Sequence, residues 1–224
     1  MATHLDLEEQ EQLDQLKTFW KRYGNLITWL LIVVLGGYAA WNGWNWYQRD
    51  QASKASAMSD QLDKAAQAGD VDQVGRVFAD LKQRYAGTAF TQQAGLATAK
   101  LQVEKGKIDA ALESLNWVGA NATETEYRTI AKLRAAGLLL DQKKHDEALK
   151  QLDGADASPF AALVADRRGD VLLAQGKSDE AKAAYAKAWQ SMAPTVDYRR
   201  LIDAKLTALG AAPSASAPVV GAAK

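Results

Sequence analysis

The side chains that carry most enzyme and metal chemistry are scarce in this sequence. The chain contains no cysteine, and it has only two histidines, His4 and His145, far apart along the chain. Disulfides, thiolate catalysis and cysteine-based zinc sites all require cysteine and are therefore excluded. A transition-metal site would need several nitrogen or sulfur ligands at close spacing, and the sequence offers no such group. We therefore expect neither a metal nor a cofactor.

Two other patterns suggest chemistry but do not meet its requirements. Gly176-Lys177-Ser178 looks like the end of a phosphate-binding loop, but six residues separate Gly169 from Gly176. A phosphate-binding loop has four residues between its glycines and follows a strand, whereas the pattern here is helical. Acid pairs such as Asp179-Glu180 recur with the period of an internal repeat, so helix N-termini explain them better than acid–base catalysis. We predict no catalytic residues, and the protein is expected not to be an enzyme.

The overall composition favours a helical protein without a general affinity for nucleic acid. Only four of the 224 residues are proline, and alanine and leucine are abundant. Lysine plus arginine and aspartate plus glutamate both number 27, so the formal net charge is zero. Without a basic excess the chain has no general attraction for a phosphate backbone.

An internal repeat occupies the sequence from about residue 50 to residue 209. Four six-residue stretches align and begin 37, 37 and 33 residues apart. The stretches are Gly69-Asp70-Val71-Asp72-Gln73-Val74, Gly106-Lys107-Ile108-Asp109-Ala110-Ala111, Lys143-Lys144-His145-Asp146-Glu147-Ala148 and Gly176-Lys177-Ser178-Asp179-Glu180-Ala181. Four residues after the end of each stretch comes a large apolar residue: Phe78, Leu115, Leu152 and Tyr185. A period near 34 residues is typical of tetratricopeptide helix hairpins.

Each of these stretches has the features of a turn between two paired helices. Its first residue, a glycine or a lysine, would end the first helix in the left-handed region. Its fourth residue, an aspartate, would cap the second helix and suit its positive end. Its small last residue would let the helices approach, and the large residue one turn later would fill the space between them. One hairpin cannot bury its apolar face alone, but stacked hairpins can.

A charge-free apolar stretch runs from residue 23 to residue 48. It is long enough to cross the hydrocarbon core of a bilayer as one helix. Aromatic residues stand at both of its ends, where rings are enriched at membrane–water interfaces. These predicted membrane-interface residues are Trp20, Tyr23, Trp41, Trp44, Trp46 and Tyr47. A buried core helix, a cleaved signal peptide and an interfacial helix are the alternatives, but the paired aromatic ends, the acidic lead-in and the apolar residues on every face favour a transmembrane helix.

The flanks of this stretch indicate its orientation. Lys17, Lys21 and Arg22 precede it, whereas Arg49 and Lys54 follow it, so the positive-inside rule favours a cytoplasmic N-terminus. The segment 1–22 would be cytoplasmic and amphipathic, with one apolar face formed by Leu13, Leu16 and Trp20. That face is either an interfacial lead-in or a docking surface for a membrane partner.

We therefore predict an all-α protein in which one transmembrane helix is followed by a tetratricopeptide-like solenoid of helical hairpins. The predicted domains are the N-terminal segment 1–22, the transmembrane helix 23–48, the repeat domain 49–209 and a disordered tail 210–224. The repeat domain would hold four hairpins, roughly 50–86, 88–120, 123–154 and 158–192, and a polar-backed capping helix over 195–209.

Arrays of this type bind partners on the concave face, which the first helices of the hairpins line. The predicted protein-binding positions on that face are Leu96, Lys100, Val103, Ile130, Leu133, Leu140, Leu163, Asp166, Asp170 and Leu173. The competing interpretation is that Leu and Ile at helical spacing belong to the core, so we expect only a minority of them to contact a partner.

Two regions of the sequence resemble one known family. The first is Glu8-Glu9-Gln10-Glu11-Gln12-Leu13 with Leu16-Lys17, Phe19-Trp20 and Tyr23-Gly24, and the second is Val164-Ala165-Asp166-Arg167-Arg168-Gly169-Asp170 with Leu172-Leu173 and Gly176. Together with the apolar stretch and the repeats, they resemble the YfgM-like ancillary subunits of the SecYEG translocon, over nearly the whole chain up to Gly210.

This resemblance implies a single-pass protein of the bacterial inner membrane whose repeat domain faces the periplasm. Its implied partners are the SecYEG translocon, a membrane-anchored periplasmic chaperone of the prolyl-isomerase type, and unfolded exported proteins, which the family is thought to assist. The resemblance supplies no catalytic residues. The alternative functions are a scaffold in envelope assembly or cell division, and a regulator that sequesters a signalling protein.

Overall fold

The computed structural model describes residues 7–155 and 158–212, and the regular structure within them is entirely helical. The helices are α1 Leu7–Gln67, α2 Val71–Tyr85, α3 Ala89–Glu104, α4 Ile108–Asn121, α5 Thr125–Asp141, α6 His145–Asp153, α7 Ala161–Ala174, α8 Ser178–Ser191 and α9 Tyr198–Ala208, with a short 3-10 turn at Ser158–Phe160 before α7. The predicted all-α class is confirmed. His4 and most of the predicted tail, residues 213–224, lie outside the described residues.

The chain divides into two compact units, Met1–Gln51 and Ala52–Lys224. We call them the N-terminal unit and the repeat unit. The finer division into a cytoplasmic segment, a transmembrane helix, a repeat domain and a tail stays a prediction.

The N-terminal unit presents its apolar side chains outward. Leu26, Leu30 and Val33 keep 65%, 58% and 67% of their surfaces exposed. Among the described residues, α1 is the one helix long and apolar enough to cross a membrane. Two polar side chains of its apolar stretch bond to its own backbone: the Thr28 hydroxyl donates to the Gly24 carbonyl at 2.8 Å and the Asn42 amide donates to the Tyr38 carbonyl at 2.9 Å. Such internal bonds suit a helix in lipid, where water cannot satisfy polar groups.

The repeat unit consists of hairpins joined by nearly identical turns. Gly69, Gly106, Lys143 and Gly176 have φ values of 68°, 73°, 60° and 76°, so each occupies the left-handed region that the sequence predicts. The amide of the following residue then donates to a carbonyl five residues back, as Lys107 does to Gln102 at 2.8 Å. This is the Schellman pattern, which satisfies the carbonyls at the end of the first helix. The predicted helix-hairpin repeat is therefore confirmed.

The predicted capping role of the repeated aspartates is wrong. The second helices begin at Val71, Ile108, His145 and Ser178, so Asp109 and its counterparts lie inside the first helical turn. Lysines occupy the preceding N-cap position in the last three hairpins and make no capping bond. Only in the first hairpin does a side chain cap the second helix, where the Asp70 carboxylate accepts from the Gln73 amide at 2.9 Å. The repeated aspartates still lie near the positive end of each helix dipole.

The core of the repeat unit follows the predicted alternation of small and large residues. Ala111, Ala148 and Ala181 are fully buried between paired helices. The large residues one turn later, Phe78, Leu115, Leu152 and Tyr185, are each no more than 2% exposed. Close approach also depends on Gly169, because a Cβ there would lie 2.5 Å from the Tyr185 ring. This packing holds successive first helices side by side, and the candidate site lies on them.

Candidate functional site

An open groove of about 870 Å³ crosses the first helices of three successive hairpins in the repeat unit. Its walls come from α3, α5 and α7, with single contributions from α4, the 3-10 turn and α9. The lining residues are Ala99, Lys100, Val103, Glu104, Leu115, Ile130, Leu133, Arg134, Gly137, Leu138, Asp141, Phe160, Leu163, Asp166, Arg167 and Tyr198. Most of its apolar side chains are half-buried, so packing holds them in place while part of their surface remains accessible to a ligand.

The structure brings six of the ten predicted binding residues together in this groove: Lys100, Val103, Ile130, Leu133, Leu163 and Asp166. The other four do not line it. Leu96 is only 8% exposed and belongs to the core, whereas Leu173 is 39% exposed outside the groove. Leu140 is partly buried against the hydrophobic core, and Asp170 is partly buried on α7. A role of any of the ten in binding stays a prediction.

Sequence reasoning missed several lining residues. Arg134 and Asp141 follow the predicted Ile130 by four and eleven residues, so helical spacing alone could have placed them on the same face of α5. Tyr198 offers no such signal, because it belongs to α9 and reaches the groove only through the tertiary packing of that helix.

Asp166, one of the predicted binding residues, is buried, and other side chains of the protein occupy its carboxylate. It is 2% exposed, and both of its carboxylate oxygens accept hydrogen bonds from the Lys205 ammonium, at 2.8 and 2.9 Å. The Tyr198 hydroxyl also donates to it at 2.8 Å. The same Lys205 donates to Asp170 at 2.6 Å, and Asp170 accepts from the Tyr185 hydroxyl at 2.8 Å. This network ties α9 to α7 at one end of the groove and leaves little of Asp166 for a ligand.

The two tyrosines of this network resist ionisation. Although Tyr198 keeps 37% of its surface exposed, its hydroxyl points to the buried carboxylate. Burial first, and then the hydrogen bond to Asp166, raise the pKa of Tyr198 to about 12. Burial and the hydrogen bond to Asp170 raise the pKa of Tyr185 further in the same direction. Both hydroxyls are therefore fixed donors at neutral pH, and neither can serve as a general base.

The exposed charges of the groove are arranged differently from the buried network. Arg134 and Asp141 have no ion-pair or hydrogen-bond partner within residues 7–155 and 158–212. Lys100 and Glu104 form a loose pair at 3.8 Å on α3. The Arg167 guanidinium lies against α5, where a Cβ added to Gly137 would be 3.5 Å from its Nη1. The groove thus combines an apolar floor with charges open to solvent.

Nothing in the described part of the chain forms a metal site, since no group of three or more His, Cys, Asp or Glu side chains converges there. The groove offers apolar contact and exposed charge, which are features of surfaces that bind peptide segments.

Comparisons with known proteins agree with this architecture. Residues 17–211 match the family described as "Tetratricopeptide repeat-like domain". A protein of Neisseria gonorrhoeae (strain ATCC 700825 / FA 1090) named "Ancillary SecYEG translocon subunit" is 34% identical over 210 residues, which cover 93% of this chain and all of that protein. The chain belongs to the family of ancillary SecYEG translocon subunits and carries this repeat-like domain.

Two further family members with the same name match over most of their length. The protein of Escherichia coli (strain K12) is 28% identical over 79% of this chain and 85% of its own. That of Haemophilus influenzae (strain ATCC 51907 / DSM 11121 / KW20 / Rd) is 30% identical over 83% and 90%. The family match begins at Lys17 and ends at Ala211, so it includes both the apolar stretch of α1 and the groove.

Proposed function

We propose that this protein is a non-catalytic, membrane-tethered protein-binding subunit of the SecYEG translocon. The observation that carries the proposal is the open groove of about 870 Å³, whose apolar floor is built from the first helices of three hairpins. The names of the relatives supply the partner, because all three are called ancillary subunits of that translocon.

The proposed location is the bacterial inner membrane, with residues 1–22 in the cytoplasm and the repeat unit in the periplasm. The exposed leucines and valines of α1 support a lipid environment, since water would disfavour them. The excess of Lys17, Lys21 and Arg22 over Arg49 and Lys54 supports this direction of insertion. The exposed rings, such as Trp20 at 60% and Trp46 at 71%, would lie at the two interfaces.

Labelling of single cysteines tests the orientation directly, because the native chain contains none. Thr18→Cys lies on the N-terminal side of the apolar stretch and Ser178→Cys at an exposed turn of the repeat unit. In intact spheroplasts a membrane-impermeant maleimide should label Ser178→Cys alone, and after lysis it should label both. If Thr18→Cys alone is labelled before lysis, the orientation of the protein is the reverse of the proposed one.

The proposed role is assistance to newly exported chains together with a membrane-anchored periplasmic chaperone of the prolyl-isomerase type. Unfolded segments expose apolar side chains and unpaired backbone amide and carbonyl groups. A groove lined by half-buried apolar side chains can bind such segments without catalysing a reaction. A tether at the membrane would raise the effective concentration of the groove at the site where such segments emerge.

Co-purification from detergent-solubilised membranes tests the proposal. We expect the tagged full chain to bring down translocon subunits. A repeat unit exported without residues 1–51 should bring down less, since it loses the tether. Replacing residues 24–47 with an unrelated apolar helix of equal length then separates tethering, which that helix would restore, from direct contact by α1, which it would not. If the full chain brings down no translocon component, the proposed association is wrong, and an envelope or cell-division scaffold becomes the better account.

A further inference from the structure

The exposed charges of the groove repeat with the period of the hairpins. Arg134 on α5 and Arg167 on α7 are 33 residues apart, which is also the distance from Lys143 to Gly176, the turns that follow them. Glu104 and Asp141 are 37 residues apart, as are the turn residues Gly106 and Lys143. Each pair therefore occupies one structural position on neighbouring helices. The groove has a basic row across α5 and α7 and an acidic row across α3 and α5.

The acidic row occupies positions that the helices themselves disfavour. Glu104 and Asp141 are the last residues of α3 and α5, at the negative ends of the helix dipoles. Lysines follow Glu104 in the turn, but Lys107 reaches away to Asp72 at 2.7 Å and Lys105 lies beside Gly69 of the preceding hairpin. Asp141 has no ion-pair partner among the described residues. Glu104 is loosely paired with Lys100 at 3.8 Å, so Asp141 is the acid of this row that is open to a cation from a ligand.

The basic row is open to an anion. Arg134 is exposed and also lacks an ion-pair partner among the described residues. Arg167 is no closer than 4.0 Å to Asp170, whose carboxylate already accepts from Lys205 and Tyr185. The guanidinium of Arg167 rests near Gly137, on the same face of α5 as Arg134. An acidic side chain lying over this part of the groove could bind both.

Arg134 and Asp141 lie seven residues apart on α5, which corresponds to about 10 Å along a helix. The half-buried Leu138 on α5 and Val103 on α3 line the groove between the two rows. A chain in the polyproline II conformation, which unfolded polypeptides adopt readily, advances about 3.1 Å per residue with three residues per turn, so side chains three residues apart lie about 9 Å apart on the same side. The geometry fits an acid and a base that are separated by two apolar residues.

We propose that the groove selects unfolded polypeptide segments in which one acidic and one basic side chain flank apolar residues. The acid binds to Arg134 and Arg167, and the base binds to Asp141. This inference rests on the proposed function of the groove and adds the chemistry of the segment that it holds. Segments with two acids or two bases match only one of the rows and meet repulsion at the other.

Peptide binding to the full chain in lipid nanodiscs tests this selection. Four fluorescent peptides share a central Leu-Phe pair and differ only in the two flanking side chains, which are Asp and Lys, two Asp, two Lys, or two Ser. By fluorescence anisotropy the mixed peptide should bind about three- to five-fold more tightly than the Ser peptide, as expected for partly exposed ion pairs. The diacidic and dibasic peptides should bind more weakly than the mixed one.

Charge reversal makes the test specific. Arg134→Glu should shift the preference to the dibasic peptide, and Asp141→Arg should shift it to the diacidic peptide. The double variant should prefer the mixed peptide again, bound in the opposite direction. Glu113→Arg and Lys187→Glu alter exposed charges outside the groove and serve as matched controls, so they should change nothing.

Two results would overturn the inference, and they differ in whether the native protein binds any of the peptides. If all four peptides bind equally well and charge reversal has no effect, the charge selection is wrong, although the protein still binds polypeptide. If no peptide binds to the native protein, both the selection and the proposed polypeptide-binding function of the groove fail.

Discussion

Apolar side chains have opposite surroundings in the two units of this protein. In the N-terminal unit Leu30 and Val33 are 58% and 67% exposed, whereas in the repeat unit Leu81 and Leu115 are 0% and 2% exposed. The same residue types therefore depend on different environments. The repeat unit supplies its own core from stacked hairpins, but the apolar stretch of α1 requires an apolar medium from outside. Internal packing therefore specifies the repeat unit, whereas under the proposed function the bilayer provides the surroundings of α1.

A matched pair of glycine substitutions should give the largest difference between the units. Gly169→Leu would force side-chain atoms into the Tyr185 ring, because even a Cβ at this position lies 2.5 Å from it. Overpacking of this kind costs on the order of 3 kcal/mol of unfolding free energy. A Cβ at Gly37 would have nothing within 4 Å, so Gly37→Leu should leave the unfolding of the repeat unit unchanged. Urea denaturation of the full chain in detergent, followed by circular dichroism, measures both, and equal losses would contradict the packing described here.

A second pair contrasts a buried ion pair with an exposed one. Lys205→Met leaves the nearly buried Asp166 carboxylate without its cation, which should cost about 2 kcal/mol or more. Lys17→Met removes a 3.3 Å pair with Asp14 whose side chains are both more than 70% exposed, and it should cost less than about 0.5 kcal/mol. The same denaturation assay compares them. A small loss for Lys205→Met would mean that α9 does not depend on this network.

The sequence predicts the repeat better than it predicts the site. The left-handed turns at Gly69, Gly106 and Gly176 and the small-to-large packing follow from local pattern, because each depends on residues within one hairpin. The network of Asp166 with Lys205 and Tyr198 joins residues that are 32 to 39 positions apart in the sequence. No pattern within a single helix or hairpin predicts such contacts. Arg134 and Asp141 could have been found by extending the helical stripe from Ile130. The predicted aspartate caps are wrong because each second helix begins before its repeated aspartate, which leaves lysines at the N-cap positions of the last three hairpins.

The smallest expected effect is a loss of stability at high pH. The folded protein holds the Tyr198 proton more tightly than the unfolded chain does, since the pKa rises from 10.0 to about 12 on folding. The resulting stabilisation is fully present below pH 10 and is lost as the pH rises toward 12. Tyr198→Phe should therefore lose less stability than the native protein over this range. Melting temperatures at pH 9, 10 and 11 measure the difference, and parallel curves for the two proteins would contradict the hydrogen bond to Asp166.

Site-specific photocrosslinking in cells tests most directly that the groove is the surface that holds exported chains. A photoreactive phenylalanine at Leu133 lies in the groove, whereas one at Glu113 lies on α4 outside it. In cells that carry an exported protein arrested during translocation, the first position should capture the arrested chain and the second should not. Capture from Glu113 with none from Leu133 would contradict the account, because the binding surface would then lie on another face of the repeat unit.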